Sequence, residues 1–324
     1  MGRLHDDLIV IDGLIISKWS RSVFEDMRLG GLTAANCTCS VWEGFQGTMD
    51  NIVGWKRMLR DNADIITQVH RASDIRAAKE AGKVGIILGF QNTDAFEGEV
   101  GYVELFRDLG VGIAQMTYNT QNMVGTGCYE SRDCGLSDFG REIVAEMNRV
   151  GMMCDLSHVG SQTSHDVILA SKKPVTYSHC LPSGLKAHPR NKSDEELRFI
   201  ADRGGFVGVT MFSPFLAQGG SAVIDDYVAA IEYVINIVGE DSTGIGTDFT
   251  QDQDKGFFDY LCLDKGHGRR LVTFTELVNP KGLQKIGEFP NLTEALERAK
   301  WPESRIRKVL GENWLRVFSE VWGE

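Results

Sequence analysis

Gly151-Met152-Met153-Cys154-Asp155-Leu156-Ser157-His158, Pro174-Val175-Thr176-Tyr177-Ser178-His179 and Gly244-Ile245-Gly246-Thr247-Asp248 are short apolar runs. Each ends on a side chain that can hold a metal or move a proton. As parallel strands of one barrel they would bring His158, His179 and Asp248 to a single mouth. Imidazole and carboxylate gathered there suggest a hydrolytic metal site.

Working outward, the same pattern recurs along the chain. Eight apolar runs stand out: Leu8–Asp12, Ala34–Ser40, Val84–Gln91, Gly112–Asn119, Met152–His158, Val175–His179, Phe206–Phe212 and Thr243–Phe249. Apolar residues are nearly continuous in them, as where both faces of a strand are buried. Helical signals fill the gaps. Ser73 opens a run closed by Gly82, and Ser137 caps an apolar stripe of Phe139, Ile143, Val144, Met147 and Val150 that stops at Gly151. Ser193-Asp194-Glu195-Glu196 reads as a capping box, and 225–238 is amphipathic and ends at Gly239. Strand runs alternating with helices predict an α/β fold, a (β/α)8 TIM-type barrel with extra C-terminal helices, as one domain over residues 1–324. The segment after the first run, Gly13-Leu14-Ile15-Ile16, lacks the glycine-rich fingerprint of a dinucleotide-binding sheet. Residues 305–317 read as a helix packed across the barrel or against a partner subunit.

Bulk properties narrow the function. The 324-residue chain has a net charge of −11, which argues against a nucleic-acid partner but allows a small anionic substrate beside a local Arg. No apolar stretch is long enough to span a membrane, and the start carries no signal segment, so a cytoplasmic protein is expected. The seven cysteines are read mainly as reduced, buried thiols. Cys128 and Cys134 flank a polar loop and are a candidate pair. Cys37 and Cys39 are read as packing.

At the carboxyl ends of the expected strands lie Asp12, Gln91, Tyr118 with Asn119, Asp155 with His158, His179, and Asp248. A lone strand-end histidine is more often a hydrogen-bonded core residue than a ligand. Two on successive strands, with an aspartate from the eighth, shift the balance toward a metal site. Asp155 is a candidate for orienting a histidine.

Asp155-Leu-Ser-His158, Tyr177-Ser-His179, His188-Pro-Arg-Asn191, Gly244-Ile-Gly-Thr-Asp-Phe249 and Gly311-Glu-Asn-Trp-Leu-Arg-Val-Phe318 together resemble the membrane (renal) dipeptidase family of amidohydrolase-like enzymes. The resemblance implies a metal-dependent (β/α)8 barrel that cleaves dipeptides and is usually a homodimer. It implies that His158 and His179 are ligands of the second metal. It further implies that Asp248 touches the first metal and handles the proton of the attacking water. Arg190, with Asn191 beside it, would bind the substrate carboxylate, since an Arg fork suits that planar anion. A surface ion pair of Arg190 with Asp194 or Glu195 is the competing reading.

The sequence also departs from the family. An Asp-Gly-His-x-Asp segment supplies ligands in the family; here it is Asp12-Gly13-Leu14-Ile15-Ile16. Gln91 stands where the family has a bridging glutamate, and Tyr118 where it has a substrate-side histidine. Two divalent cations bring four positive charges, which Asp248 alone cannot offset in a partly buried pocket. A two-metal centre is therefore not expected. One divalent ion, zinc first among the choices, would sit at His158 and His179, with Gln91 as a weak ligand or Asp248 completing the sphere; the alternative is none. The leading expectation is a divergent hydrolase acting on a C–N bond of a dipeptide or N-substituted amino acid, with Asp248 and Tyr118 as catalytic groups. A non-catalytic metabolite-binding barrel and a metal-free acid–base enzyme are the alternatives.

Overall fold

The computed structural model describes residues 4–274 and 277–323. Its strands are β1 (Ile11–Ile15), β2 (Ala34–Ser40), β3 (Ile66–Gln68), β4 (Val84–Phe90), β5 (Val111–Gln115), β6 (Met153–Asp155), β7 (Thr176–Cys180), β8 (Phe206–Val209) and β9 (Thr243–Ile245). Eight of them run β1-β2-β4-β5-β6-β7-β8-β9, while β3 lies off this path and pairs with β4. All pairings are parallel, and helices cross between strands. The ring is brought round by a parallel bridge from Ile15 to Phe249 and by Ile16 N–H donating to the Phe249 carbonyl at 2.9 Å. This is a TIM-type (β/α)8 barrel.

The eight barrel strands coincide with the eight apolar runs, with shifted ends. β1 begins at Ile11 rather than Leu8, because Ile11 and Asp12 are the residues that register with Ala34 and Ala35. β5, β6, β8 and β9 stop before the apolar runs do, so Tyr118, His158, Phe212 and Asp248 sit on loops just past the strands. β3 has no counterpart among the runs. It is three residues long with two half-exposed positions, too short for a period to show.

Most helix signals act as expected, but Ser73 is not a cap: that helix spans Ala72–Glu80, Arg71 is its N-cap, and Asp74 accepts from the Arg71 N–H at 3.0 Å. Ser137 Oγ accepts from Gly140 N–H, and Gly151 closes that helix with φ +72°. Ser193 and Glu196 form a reciprocal capping box at the start of Asp194–Ala201.

The C-terminal helix Asn313–Trp322 packs across the barrel. Asn313 Nδ2 donates to the Glu240 and Thr243 carbonyls at 2.7 and 2.9 Å, which fixes the helix against β9. Trp314 is fully buried, and its indole N–H donates to the Ile245 carbonyl at 2.8 Å. Glycines make room for that ring. A Cβ on Gly13 of β1 would lie 2.5 Å from Trp314, and one on Gly244 of β9 3.0 Å. Trp314 thus fills space that side chains on those strands would otherwise occupy.

Candidate active site

Two buried carboxylates tie neighbouring strands together at the mouth. Asp155, ending β6, accepts from Ser157 Oγ (2.7 Å), Ser178 N–H (2.8 Å) and Ser178 Oγ (2.6 Å). Asp12 of β1 accepts from Thr247 N–H at 2.8 Å, from Thr247 Oγ1, and from Leu14 N–H at 3.1 Å. The first joins β6 to β7 and the second joins β1 to the segment after β9. Burial raises both carboxyl groups above their ordinary range, Asp12 to about 7, against the opposing pull of their donors.

The Asp155 network decides the state of His179. The single Ser178 hydroxyl hydrogen goes to Asp155, so Ser178 Oγ accepts from His179 Nδ1 at 2.7 Å. His158 Nδ1 donates to Asn119 Oδ1 at 2.7 Å. Both rings therefore carry their proton on Nδ1 and keep a bare lone pair on Nε2. Those two Nε2 atoms face each other 3.1 Å apart. Burial is the main cause that holds both imidazoles well below the ordinary histidine range, and the Arg190 cation adds to it. They are neutral, the form that ligates. Asp155 thus acts on His179 through Ser178, its carboxylate standing 4.0 Å from the ring nitrogen.

Two bare imidazole nitrogens at this separation fit a cation. Bonds of about 2.05 Å at a tetrahedral angle place two nitrogens about 3.3 Å apart. Among the described residues no three His, Cys, Asp or Glu side chains converge into a fuller ligand set.

Beside the histidines is a narrow cavity of about 40 Å³. Gln91, Tyr118, Asn119, Tyr129, His158, Arg190 and Asp248 form its polar wall, and Ile16, Phe212, Phe215, Phe258, Leu261, Val272 and Phe274 the apolar one. Tyr118 stacks on His158 with ring centroids 4.2 Å apart and meets Trp42 edge-on. Burial raises its phenol well above the ordinary range, so it remains a hydrogen-bond donor. Asp248 has φ +63°, a left-handed backbone rarely adopted by a non-glycine residue. Burial pushes its carboxyl up to about 6 while Arg190 pulls it down.

Arg190 is almost wholly buried. It donates to the Ser157 carbonyl and, at 3.1 Å, to the His179 carbonyl, while its Nε–H has no partner. Among the described residues no carboxylate lies within ion-pair distance of it. The surface pair with Asp194 or Glu195 does not form, because Arg190 turns inward onto the ends of β6 and β7.

Other sequence expectations fare differently. Asn191 spends its amide N–H groups on the Lys186 and Phe215 carbonyls and lines a separate cavity. Gln91 reaches the active-site cavity, but its amide donates to Thr38 at 3.0 Å. Leu14 is buried and Ile16 lines the apolar wall. Cys128 and Cys134 do not pair; both are free thiols, and Cys128 leans on Asn119 instead. Cys180 is buried with its thiol pushed up to about 12, which removes it as a nucleophile. Sequence reasoning assigned no role to Ser178, Tyr129 or the Phe212, Phe215 and Phe274 cluster. Ser178 carried a signal, since a hydroxyl directly before a candidate ligand is placed to orient it. Tyr129 lies in an aperiodic loop and carried none.

Comparison with known proteins agrees with this architecture. An amidohydrolase from Pseudomonas aeruginosa is 68% identical, with a TM-score of 0.98 over 99% of this chain and 98% of that one. A metallo peptidase from Rhodobacter sphaeroides, liganded with a phosphinate mimic of the dipeptide L-Ala-D-Ala, is 19% identical and shares the fold. Its TM-score is 0.82 over 98% of this chain and all (100%) of that one. An uncharacterized dipeptidase of Schizosaccharomyces pombe is 30% identical over 282 residues, 85% of this chain. The chain spans 62% of that relative's length. The family profile described as membrane dipeptidase, peptidase family M19, matches residues 22–265 and 274–322, and the protein belongs to that family.

Proposed function

We propose that the protein is a hydrolase of a C–N bond in a small carboxylate-bearing substrate, a dipeptide or N-substituted amino acid, working with a single divalent ion. The observation that carries this reading is the pair of bare Nε2 atoms of His158 and His179, 3.1 Å apart, beside a cavity containing Arg190 and Asp248. When bound, a divalent ion supplies Lewis acidity toward a carbonyl oxygen and acidifies water. A second ion does not suit the remaining residues: Leu14 and Ile16 offer no donor atom, and the Gln91 amide carries no charge to offset a second cation. Zinc fits the two-imidazole chemistry best.

The chain's own groups then take distinct parts. Arg190 holds the substrate carboxylate, because a buried guanidinium with no acidic partner gains most from an incoming anion. Asp248 accepts the proton of the attacking water. With its carboxyl near 6 it is mostly ionised at neutral pH yet still a competent base. Tyr118 donates toward the reacting oxygen. The aromatic wall excludes bulk water and so strengthens these interactions.

The test is turnover of protein loaded with zinc, manganese or cobalt on a broad panel of dipeptides and N-acyl amino acids. Release of a free amino acid, lost in His179→Ala and Asp248→Ala, supports the reading. An untouched panel overturns it. Turnover that resists chelator would favour metal-free acid–base chemistry by the same two imidazoles, for which their 3.1 Å contact is also suited. Homodimer formation and a cytoplasmic location are carried into this proposal from the family resemblance and the sequence. Among the described residues no helix is long and apolar enough to cross a membrane.

A further inference from the structure

Three observations bear on how the carboxylate end of a substrate is held. Arg190 Nε–H has no partner although the residue is almost completely buried. Tyr129 lines the same cavity, and its hydroxyl, shielded from water, also has no partner. Buried donors are nearly always satisfied, and an orphaned pair facing one space indicates a missing acceptor. The third observation is an aromatic cluster against the guanidinium. Arg190 lies over the Phe215 ring at 5.3 Å, and Phe215 contacts Phe212 and Phe274 at centroid distances of 4.9 and 6.2 Å.

Tyr129 is held in place by the backbone. Its N–H donates to the Asn119 carbonyl at 2.8 Å, and Cys128 N–H donates to the His158 carbonyl at 2.9 Å. This loop therefore crosses the mouth between the segments that carry Tyr118 and His158. The Tyr129 ring meets His188 edge-on at 6.3 Å, and Tyr129 lines the same cavity as Arg190. Burial raises that phenol above its ordinary range, so it stays a donor at any physiological pH.

We propose, resting on the carboxylate role of Arg190 given above, that Tyr129 is a second anchor for the substrate carboxylate and that Phe212, Phe215 and Phe274 receive an aromatic or branched apolar side chain on the same residue. The favoured substrate is then a compound ending in a bulky apolar amino acid with a free carboxylate. A small residue such as glycine leaves the aromatic surface uncovered. A charged one loses hydration against the rings with no partner in return. An amide in place of the carboxylate loses the charge that Arg190 requires and brings N–H groups against two donors.

Equilibrium binding tests this without turnover. Calorimetry would use N-acetyl-L-phenylalanine, its carboxamide and N-acetylglycine, with wild type and Tyr129→Phe. The phenylalanine carboxylate should bind wild type at least ~10-fold tighter than either other probe. Tyr129→Phe should weaken that carboxylate roughly 10-fold and leave carboxamide binding unchanged, since a hydrogen bond to a charged group is the one lost. Because the hydroxyl has no partner within the protein, the variant should melt no lower than wild type, which separates a binding defect from misfolding. The proposal is overturned if Tyr129→Phe binds the carboxylate as wild type does, if N-acetylglycine binds as tightly as the phenylalanine compound, or if wild type binds none of the three. Failure of the hydrolase reading would instead show as binding of the carboxylate with no turnover on the panel.

Discussion

The two sides of the barrel mouth are built on the same plan and end in opposite chemistry. On each, a buried aspartate accepts from the backbone and hydroxyl of the neighbouring strand's end: Asp155 from Ser178, and Asp12 from Thr247. On the Asp155 side this scaffold leads to His158 and His179, with both Nε2 lone pairs exposed to each other. On the Asp12 side it leads to Leu14, which is buried, and Ile16, which lines the apolar wall, leaving Asp248 beside Thr247 as the polar group there. The lesson is that one clamp plan can carry ligating side chains on one side of the mouth and aliphatic ones on the other. Scaffold and ligand set are separable.

The sharpest way to break the comparison is on the polar side. His179→Ala removes one of two imidazoles, and zinc affinity by competition with a chromogenic chelator should fall more than ~100-fold. Unchanged affinity would mean that the ion binds elsewhere. Next comes the apolar side. Leu14→His with Ile16→Asp and Gln91→Glu puts donors and two negative charges where there were none. Bound zinc, read by elemental analysis, should rise from one to two per chain. The same triple variant without metal should lose about 2–4 kcal/mol of stability in urea unfolding, since polar groups then sit unpaired in a packed wall.

Ser178→Ala separates clamp from ligand. It leaves both imidazoles but frees His179 Nδ1 from its acceptor, so zinc binding should weaken about 10–100-fold while the fold persists. A different readout tests the other clamp. Asp12 is raised from 3.8 to about 7 in the folded protein. The folded state then holds a proton that the unfolded chain has released between these values. Stability is therefore full below about pH 4 and declines as pH rises through 7. The loss of stability between pH 5 and pH 8 in urea unfolding should be roughly 2–3 kcal/mol smaller in Asp12→Asn than in wild type, the remainder coming from Asp248 and Asp155.

Much of this was legible in the sequence, and the reason differs from part to part. The barrel was readable because β-runs buried on both faces are nearly all apolar and because Ser137, Gly151 and Ser193 mark helix ends chemically. β3 was hidden, being too short to carry a period. His158, His179 and Asp248 were found because each ends an apolar run. The inward turn of Arg190 was not readable, since it depends on the carbonyls of Ser157 and His179, which come from two other strand ends. Neither Tyr129 nor the meeting of Phe212 and Phe215 with Phe274 follows from spacing, because loops far apart in the chain bring them together. The same limit explains Cys128 and Cys134, where proximity along a polar loop says nothing about thiol geometry.

On the proposed reading, one side of the mouth holds a cation and the other does not. Titration of metal-free protein with zinc, followed by calorimetry and elemental analysis, tests it most directly. The account predicts saturation at one tightly bound ion per chain, with that uptake lost in His179→Ala. Two tightly bound ions in the wild-type protein would contradict it.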